Sequence, residues 1–460
     1  MALMPFVLLV VYLFLVSLEK LMYFVVFFVP LSIPLDLFAP SLGFDLQLPT
    51  EPILIMIMGI FIFRLLYEKK FDRGILLHPV SIAIYINLAW MFLTSLTSSI
   101  PLVSFKFLLS RLWFVSAFYF MATQIFQKKK GIRLFIWAYI PAMLVVIIYT
   151  WIHLTQLGGL SQHAAHLAPI PFFRDHTSYG AILAMLLPFA VGFAINPKYT
   201  PALRLLSWLM AMILLVALLF SYTRAAWISV IIAGGVLVIM VLKIRFRTVL
   251  IFVTLVGLVI FINRANIFMN LRHNHQDSSK DLAKHLESVS NVRTDASNLE
   301  RMNRWKSGFR MFLERPVLGW GPNTYQFNYA PFQIFKDKTV ISTNSGNMGN
   351  SHSEYIGPLV ESGVFGCLSI LIIIILTLST GFRVYAKATH QRQIKILVAS
   401  ATLGLITYYI HGALNDFLDT DKASALFWGY TAMIVSLDVY HARKVEKPFD
   451  SAQGPSLLSQ

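Results

Sequence analysis

The chain holds a single cysteine, Cys367, among 460 residues, which excludes an intramolecular disulfide and any thiolate metal centre. Charge is scarce too. Only 13% of residues are Asp, Glu, Lys or Arg, against 57% hydrophobic and a mean hydropathy of +0.67, where a soluble domain averages about 25% charged. An ordinary soluble protein is therefore excluded. The sequence has no phosphate-cradling Gly-Lys-Ser/Thr loop and no Gly-x-Ser-x-Gly elbow, so an ATP-driven pump and a serine hydrolase have no starting point. Internal repeats and low-complexity tracts are also missing, and many carriers with alternating access are built on such repeats.

What is present is a succession of apolar runs close to the roughly 20 residues that span hydrocarbon. They cover about 51–67, 79–97, 104–126, 133–155, 176–196, 202–221, 225–242, 246–262, 353–382, 395–412 and 423–440. Two shorter runs, 3–18 and 21–38, are divided by Glu19-Lys20 and broken by Pro30 and Pro34. Lipid offers the backbone no hydrogen-bond partners, so the spans must be helices. The expected fold is an all-α, polytopic integral membrane protein of 12 to 13 transmembrane helices.

Lys and Arg outnumber Asp and Glu 38 to 22, a balance that in a soluble chain would suggest nucleic acid. Here their position decides the meaning. Basic clusters fall in every second loop, around Lys69–Arg73, Lys128–Arg133, Lys198–Arg204, Lys243–Arg247, Arg383–Lys395 and Arg443–Lys447. Because short cytoplasmic loops collect such residues, these six are assigned inside. The alternate loops, including 156–175, 221–225, 263–352 and 413–422, are then external, and the C-terminus is cytoplasmic.

Segment 263–352 is the one long loop, polar enough to form an external subdomain. It separates an N-terminal transmembrane region, 1–262, from C-terminal transmembrane helices, 353–442, and a tail, 443–460. Within it, Ser297 and Glu300 have capping-box spacing ahead of a helix whose apolar residues, from Leu299 to Leu313, recur at three and four. Glu314-Arg315-Pro316 stops that helix, and a weaker one covers about 278–290.

Short external segments are poor in Arg, so Arg174 in Phe172-Phe173-Arg174-Asp175-His176, Arg224 in Ser221-Tyr222-Thr223-Arg224 and Arg111 inside a span stand out. Ionisable groups at such depth are costly unless paired or wet, and mark a functional cavity by default. Structural readings stand beside this: Arg174 has Asp175 for a partner, and Arg111 can snorkel to the interface. Guanidinium groups match phosphate bidentately, which points to a lipid-linked pyrophosphate. The loop helix adds Arg301 and Arg304, with Trp305 one turn beyond Arg301; Trp305 serves a sugar face or packs the helix on the membrane. The candidate base is His352, in Asn350-Ser351-His352-Ser353-Glu354-Tyr355, because a neutral imidazole can take a proton from a hydroxyl. On residue grounds alone a lone His at a helix start is more often a cap.

At these residues the chain resembles the O-antigen ligase and polymerase superfamily of bacterial envelope glycosyltransferases. His352-Ser353, nine residues and then Gly363-Val364-Phe365-Gly366 is similar to the ligase signature of His, then Asn, Ser or Gln, nine positions and Gly-x-x-Gly. Arg301-x-x-x-Trp305, the run Pro316-Val317-Leu318-Gly319-Trp320-Gly321 and Ser221-Tyr222-Thr223-Arg224 resemble further family motifs. The likeness extends over most of 50–440, with its motifs in 221–366.

The resemblance implies O-antigen ligase activity: transfer of a glycan from undecaprenyl pyrophosphate to a sugar hydroxyl of lipid A-core, at the periplasmic face of the bacterial inner membrane. It implies no metal, no nucleotide and no other cofactor, and membrane lipids but no nucleic acid as partners. It makes His352 the catalytic base and Arg224 and Arg301 pyrophosphate ligands; Arg174 and Arg304 join them as candidates on charge and position. Ser353, Glu354, Trp305 and Asp416 are candidates for contacting the acceptor or supporting the site, and Asp416 either orients an acceptor or pairs with an Arg. Alternatives within the superfamily are a polymerase, which joins repeat units, and a protein O-oligosaccharyltransferase. From another class, a lipid-linked sugar transporter could also line a cavity with Arg, though its charges should populate the midplane.

Overall fold

The computed structural model of the chain describes residues 8–10, 12–14, 17–37, 46–68, 71–159, 161–244, 296–338 and 349–442, with 248, 254 and 342. The expected span 246–262, but for two residues, the helix over 278–290 and the tail from 443 lie outside the described residues. What is described is nearly all helix, with one two-stranded antiparallel pairing, β1 (Ile33–Pro34) with β2 (Gln47–Leu48).

After the short helix α1 (Leu18–Phe28) come α2 (Thr50–Phe63), α3 (Pro79–Leu96), α4 (Pro101–Phe114), α5 (Lys129–Gln156), α6 (His176–Ala194), α7 (Pro201–Phe220) and α8 (Arg224–Leu242). α2 and α4 continue through π-helical turns, Arg64–Glu68 and Val115–Met121. Then follow α9 (Ala296–Glu314), α10 (Ile356–Glu361), α11 (Gly363–Lys387), α12 (Arg392–His411) and α13 (Asp421–Ser436). Among the described residues nine helices are long and apolar enough to cross a membrane: α2 to α8 with their extensions, α11 and α12. The chain is thus an all-α membrane protein.

The sequence starts these helices clearly. Pro79, Pro101 and Pro201 stand in first turns, where the missing N–H costs nothing. Asp175, Thr200 and Thr420 accept backbone N–H groups at their helix starts. α12 and α13 run through the middle of the bundle, and every residue of α13 is buried. α12 packs on α6, α8, α11 and α13. α7 and α8 turn large apolar side chains outward, Ile231 among them at 72% exposure, as a lipid-facing surface requires.

Among the described residues two expected spans differ: 423–440, where α13 runs, is not among the nine, and 353–382 is broken. The apolar stretch 353–382 is not one helix: it breaks between α10 and α11, where Gly363 takes φ +68°. Ser297, expected ahead of the loop helix, falls in the first turn of α9. Its capping-box partner Glu300 instead accepts a bond from Arg304 Nε at 2.9 Å.

A buried ion pair ties α13 to the N-terminal part of the chain. Lys422 Nζ donates to Asp421 Oδ1 (3.2 Å) and Ser32 Oγ (2.6 Å), and Asp421 Oδ2 accepts from Ser32 and Thr50, each at 2.6 Å. Every charge in this group has opposite charge or hydroxyls around it, which burial at this depth demands. The pair fixes the β1–β2 hairpin against the start of α13, and the hairpin residues Pro34 and Gln47 then line the cavity described next.

Candidate functional site

The motif residues converge at one end of the bundle, where α6, α8, α11 and α13 begin and α12 ends. A cavity of about 150 Å³ lies there, lined by Arg174, Asp175, Asn350, His352, Asn415 and Lys422 among others. A second, of about 80 Å³, is lined by Arg111, Ser353, Glu354 and Glu361. Asn350, Asp416 and Asp419 line both, so they form the partition between the two.

His352 stands on a tight turn. Its backbone takes φ +50°, a left-handed conformation uncommon for a residue with a side chain, and its N–H donates to Asn350 Oδ1 at 3.1 Å. Strain of this kind clusters at functional sites. Burial, with the charges of Arg304 and Arg301 next, lowers its pKa to about 4. The imidazole is therefore neutral at neutral pH, the form a base needs.

The neighbours of His352 have structural work. Ser353 Oγ accepts the N–H groups of Tyr355 (3.3 Å) and Ile356 (3.4 Å) at the entrance to α10. A small polar acceptor at this motif position thus helps to order the entrance to α10, and the side chain also lines the second cavity. Glu354 Oε1 accepts from the Tyr408 hydroxyl (2.5 Å) and from the N–H groups of Phe417 (2.9 Å) and Leu418 (2.8 Å). Glu354 N also donates to Gly412 O at 2.8 Å. These bonds bracket the loop 412–420, in which the sequence singles out Asp416. Arg111 Nη1 donates to Leu418 O at 3.2 Å in the same loop, so this guanidinium lines the second cavity and does not snorkel.

Arg301 is the third staple on that loop. Its Nε donates to Leu414 O (3.2 Å) and its Nη2 to Asn415 Oδ1 (3.5 Å). Arg301 itself lines neither cavity, but its partner Asn415 lines the first, and its charge acts on His352, His176 and His411. Arg304 goes elsewhere. It is 5% exposed, its Nη1 donates to Asn350 O at 3.0 Å, and it lies 5.1 Å from the centre of the Tyr329 ring. It lines neither cavity, and its bonds anchor the strand of chain that carries His352. Trp305 lines neither cavity as well.

Arg224 is the first residue of α8, after a turn in which Tyr222 takes φ +51°. Thr223 Oγ1 in that turn donates to His176 O at 2.9 Å. A Cβ on Gly180 would come within 2.7 Å of Thr223, so a glycine there lets the turn approach α6. A cation at a helix N-terminus opposes the macrodipole by about 0.3–1 kcal/mol, and α8 has no acidic residue in its first turn to offset it. Arg174 is exposed at the cavity edge. Asp175, rather than serving Arg174 alone, caps α6 by accepting Ser178 N and Thr177 Oγ1, each at 2.8 Å. Burial alone would raise its pKa; those bonds and His176 hold it below the ordinary value.

Asp416 borders both cavities, and its Oδ1 is buried without a hydrogen-bond partner. Burial, then Glu354, Asp419 and Glu361, push its pKa well above the ordinary value.

The glycine motifs are explained by packing. Trp320 N donates to Val360 O (3.1 Å), Gly321 N to Glu361 O (2.8 Å) and Val364 N to Pro316 O (2.9 Å). A Cβ on Gly319 would lie 2.4 Å from Glu361 O, and one on Gly363 2.0 Å from Val317 O. Both take φ +68°. The two motifs are therefore halves of one interlock that sets the angle between α10 and α11 and holds His352 over the cavity. Gly363→Ala combines backbone strain with a backbone clash, so it is expected to lower the thermal midpoint of the detergent-solubilised protein by more than about 5 °C, which a tryptophan-fluorescence melt measures; an unchanged midpoint would refute the interlock.

A multi-pass helical membrane protein with a polar, arginine- and histidine-edged cleft at one end of its bundle is the class that this fold and site define. Residues 208–371, which hold Arg224, Arg301, His352 and both glycine motifs, match the family described as O-antigen ligase. Over that stretch the chain is similar to the O-antigen ligase family, whose members are glycosyltransferase-like ligases and polymerases. No curated protein matches the chain.

Proposed function

We propose that the protein is an O-antigen ligase, which moves a glycan from undecaprenyl pyrophosphate to a sugar hydroxyl of lipid A-core on the periplasmic side of the inner membrane. The observation that carries this reading is the placement of His352, neutral and on a strained turn, in a cavity beside Arg301 within the matched stretch.

In this reading Arg224, Arg301 and Arg174 bind the diphosphate. Their charge matters most as the bond between the anomeric carbon and the diphosphate oxygen breaks, because negative charge then grows on the leaving group. His352 takes the proton of the acceptor hydroxyl while that oxygen bonds to the anomeric carbon from the face opposite the diphosphate. The products are the glycosylated acceptor, with inverted anomeric configuration, and undecaprenyl pyrophosphate; His352 then gives its proton to solvent. Arg304 acts through geometry, since its bond to Asn350 O sets the turn before His352, and through its charge, which adds to burial in keeping the imidazole neutral. The ligase reading is favoured over the polymerase by the His-Ser and Gly-x-x-Gly spacing.

Chemical analysis of the envelope of a deletion strain separates the readings. Loss of a ligase leaves polymeric glycan on undecaprenyl pyrophosphate and a bare lipid A-core, restored by the wild-type gene and not by His352→Ala. Single repeat units on the core would identify a polymerase instead, and units trapped inside the cell a flippase.

A further inference from the structure

Resting on that reading, we infer that Asn415 is a further donor-binding residue, whose side-chain amide grips a diphosphate oxygen beside Arg301. Asn415 lines the first cavity and is 3% exposed. Its Oδ1 accepts from Arg301 Nη2, while its Nδ2 is buried and has no hydrogen-bond partner. The orientation is not interchangeable. A guanidinium has no acceptor atom, so the carboxamide must turn its oxygen towards Arg301 and its NH2 away from it.

Nor is the residue loose. Arg301 Nε holds the preceding carbonyl, Leu414 O, and Glu354 Oε1 holds the N–H groups of Phe417 and Leu418, so Asn415 is fixed on both sides. A buried donor without a partner is unfavourable unless something else supplies an acceptor. The cavity faces His352 and lies next to a guanidinium, and the acceptor that fits both is an anionic oxygen: a phosphate of the lipid-linked donor. Arg301 then acts twice, as a charge and as the group that aims the Asn415 amide.

The test uses full-length protein in detergent, with undecaprenyl pyrophosphate as the probe and its protection against thermal unfolding as the readout. Asn415→Asp keeps an acceptor for Arg301 and loses the NH2. It is expected to weaken undecaprenyl pyrophosphate binding about tenfold and to raise KM for the glycosylated donor by a similar factor, with KM for lipid A-core unchanged. Asn415→Ala also takes the acceptor from Arg301 and is expected to lose at least as much binding; in Asn415→Asp, which keeps that acceptor, the unliganded midpoint is expected to stay at that of wild type, whereas a residue with a merely structural role would lose midpoint and binding together. Wild-type affinity in both variants would overturn the assignment of Asn415 while leaving the ligase reading intact. Failure of the wild-type protein to bind undecaprenyl pyrophosphate at all would overturn the reading and the assignment together.

Discussion

Replacing His352 by alanine is expected to lower the rate of glycan transfer from purified lipid-linked donor by about 10³-fold, within the 10²–10⁴ that a positioned general base contributes. The side chain lies at a cavity wall and its turn is held through backbone groups, by its own N–H on Asn350 Oδ1 and by Ser353 and Glu354 beyond it. Thermal stability should therefore change little, and the loss should fall on kcat. The pH profile gives a second readout. With its pKa lowered to about 4 by burial, Arg304 and Arg301, free His352 is neutral above that value and protonated below it. The kcat/KM for transfer should be flat through neutral pH and fall as pH drops through about 4. Arg304→Gln removes the larger of the two repelling charges and should shift that acid limb upward. A bound diphosphate stabilises the imidazolium, so the limb in kcat should lie higher than that in kcat/KM. Wild-type rates in His352→Ala would remove this residue from the chemistry.

Arg224→Ala is expected to cost about 10² in kcat/KM, the scale seen when one preorganised donor to a developing anion is removed. Arg224→Lys should recover only a small part, since a lysine supplies charge without the fork that matches two phosphate oxygens. Full recovery in the lysine variant would mean that a point charge suffices. Arg224 opens α8, so the thermal midpoint of the unliganded variants is to be measured alongside the rates; a loss of rate without a loss of midpoint assigns the effect to the donor.

Much of this architecture is legible in the sequence. Pro79, Pro101 and Pro201 open helices where the apolar runs begin, and the polar residues Asp175 and Thr420 cap theirs. The break between α10 and α11 is not legible, because 353–382 reads as one apolar run. The bend comes from a distant partner, the carbonyls of Pro316 and Val317 against Gly363 and Val364, and local pattern carries no record of a contact across some 45 residues. The same limit governs the site. His352, Arg224 and Arg301 stand out by type and position, whereas Asn415 and Lys422 look like ordinary loop and helix-start residues. Only tertiary bonds, between Arg301 and the first and between Ser32 and the second, bring them to the cavity. Arg304 shows the reverse: it shares a helix face with Arg301 nearly one turn away, and the fold spends it on Glu300 and Asn350.

The account holds that guanidinium groups, together with one neutral imidazole, carry out the transfer where other glycosyltransferases use a divalent ion. Its most direct test is the initial rate of transfer by reconstituted wild-type protein, from undecaprenyl-pyrophosphate-linked glycan to lipid A-core, before and after exhaustive chelation. The rate is expected to be unchanged. Abolition by chelator with recovery on adding magnesium or manganese would contradict it.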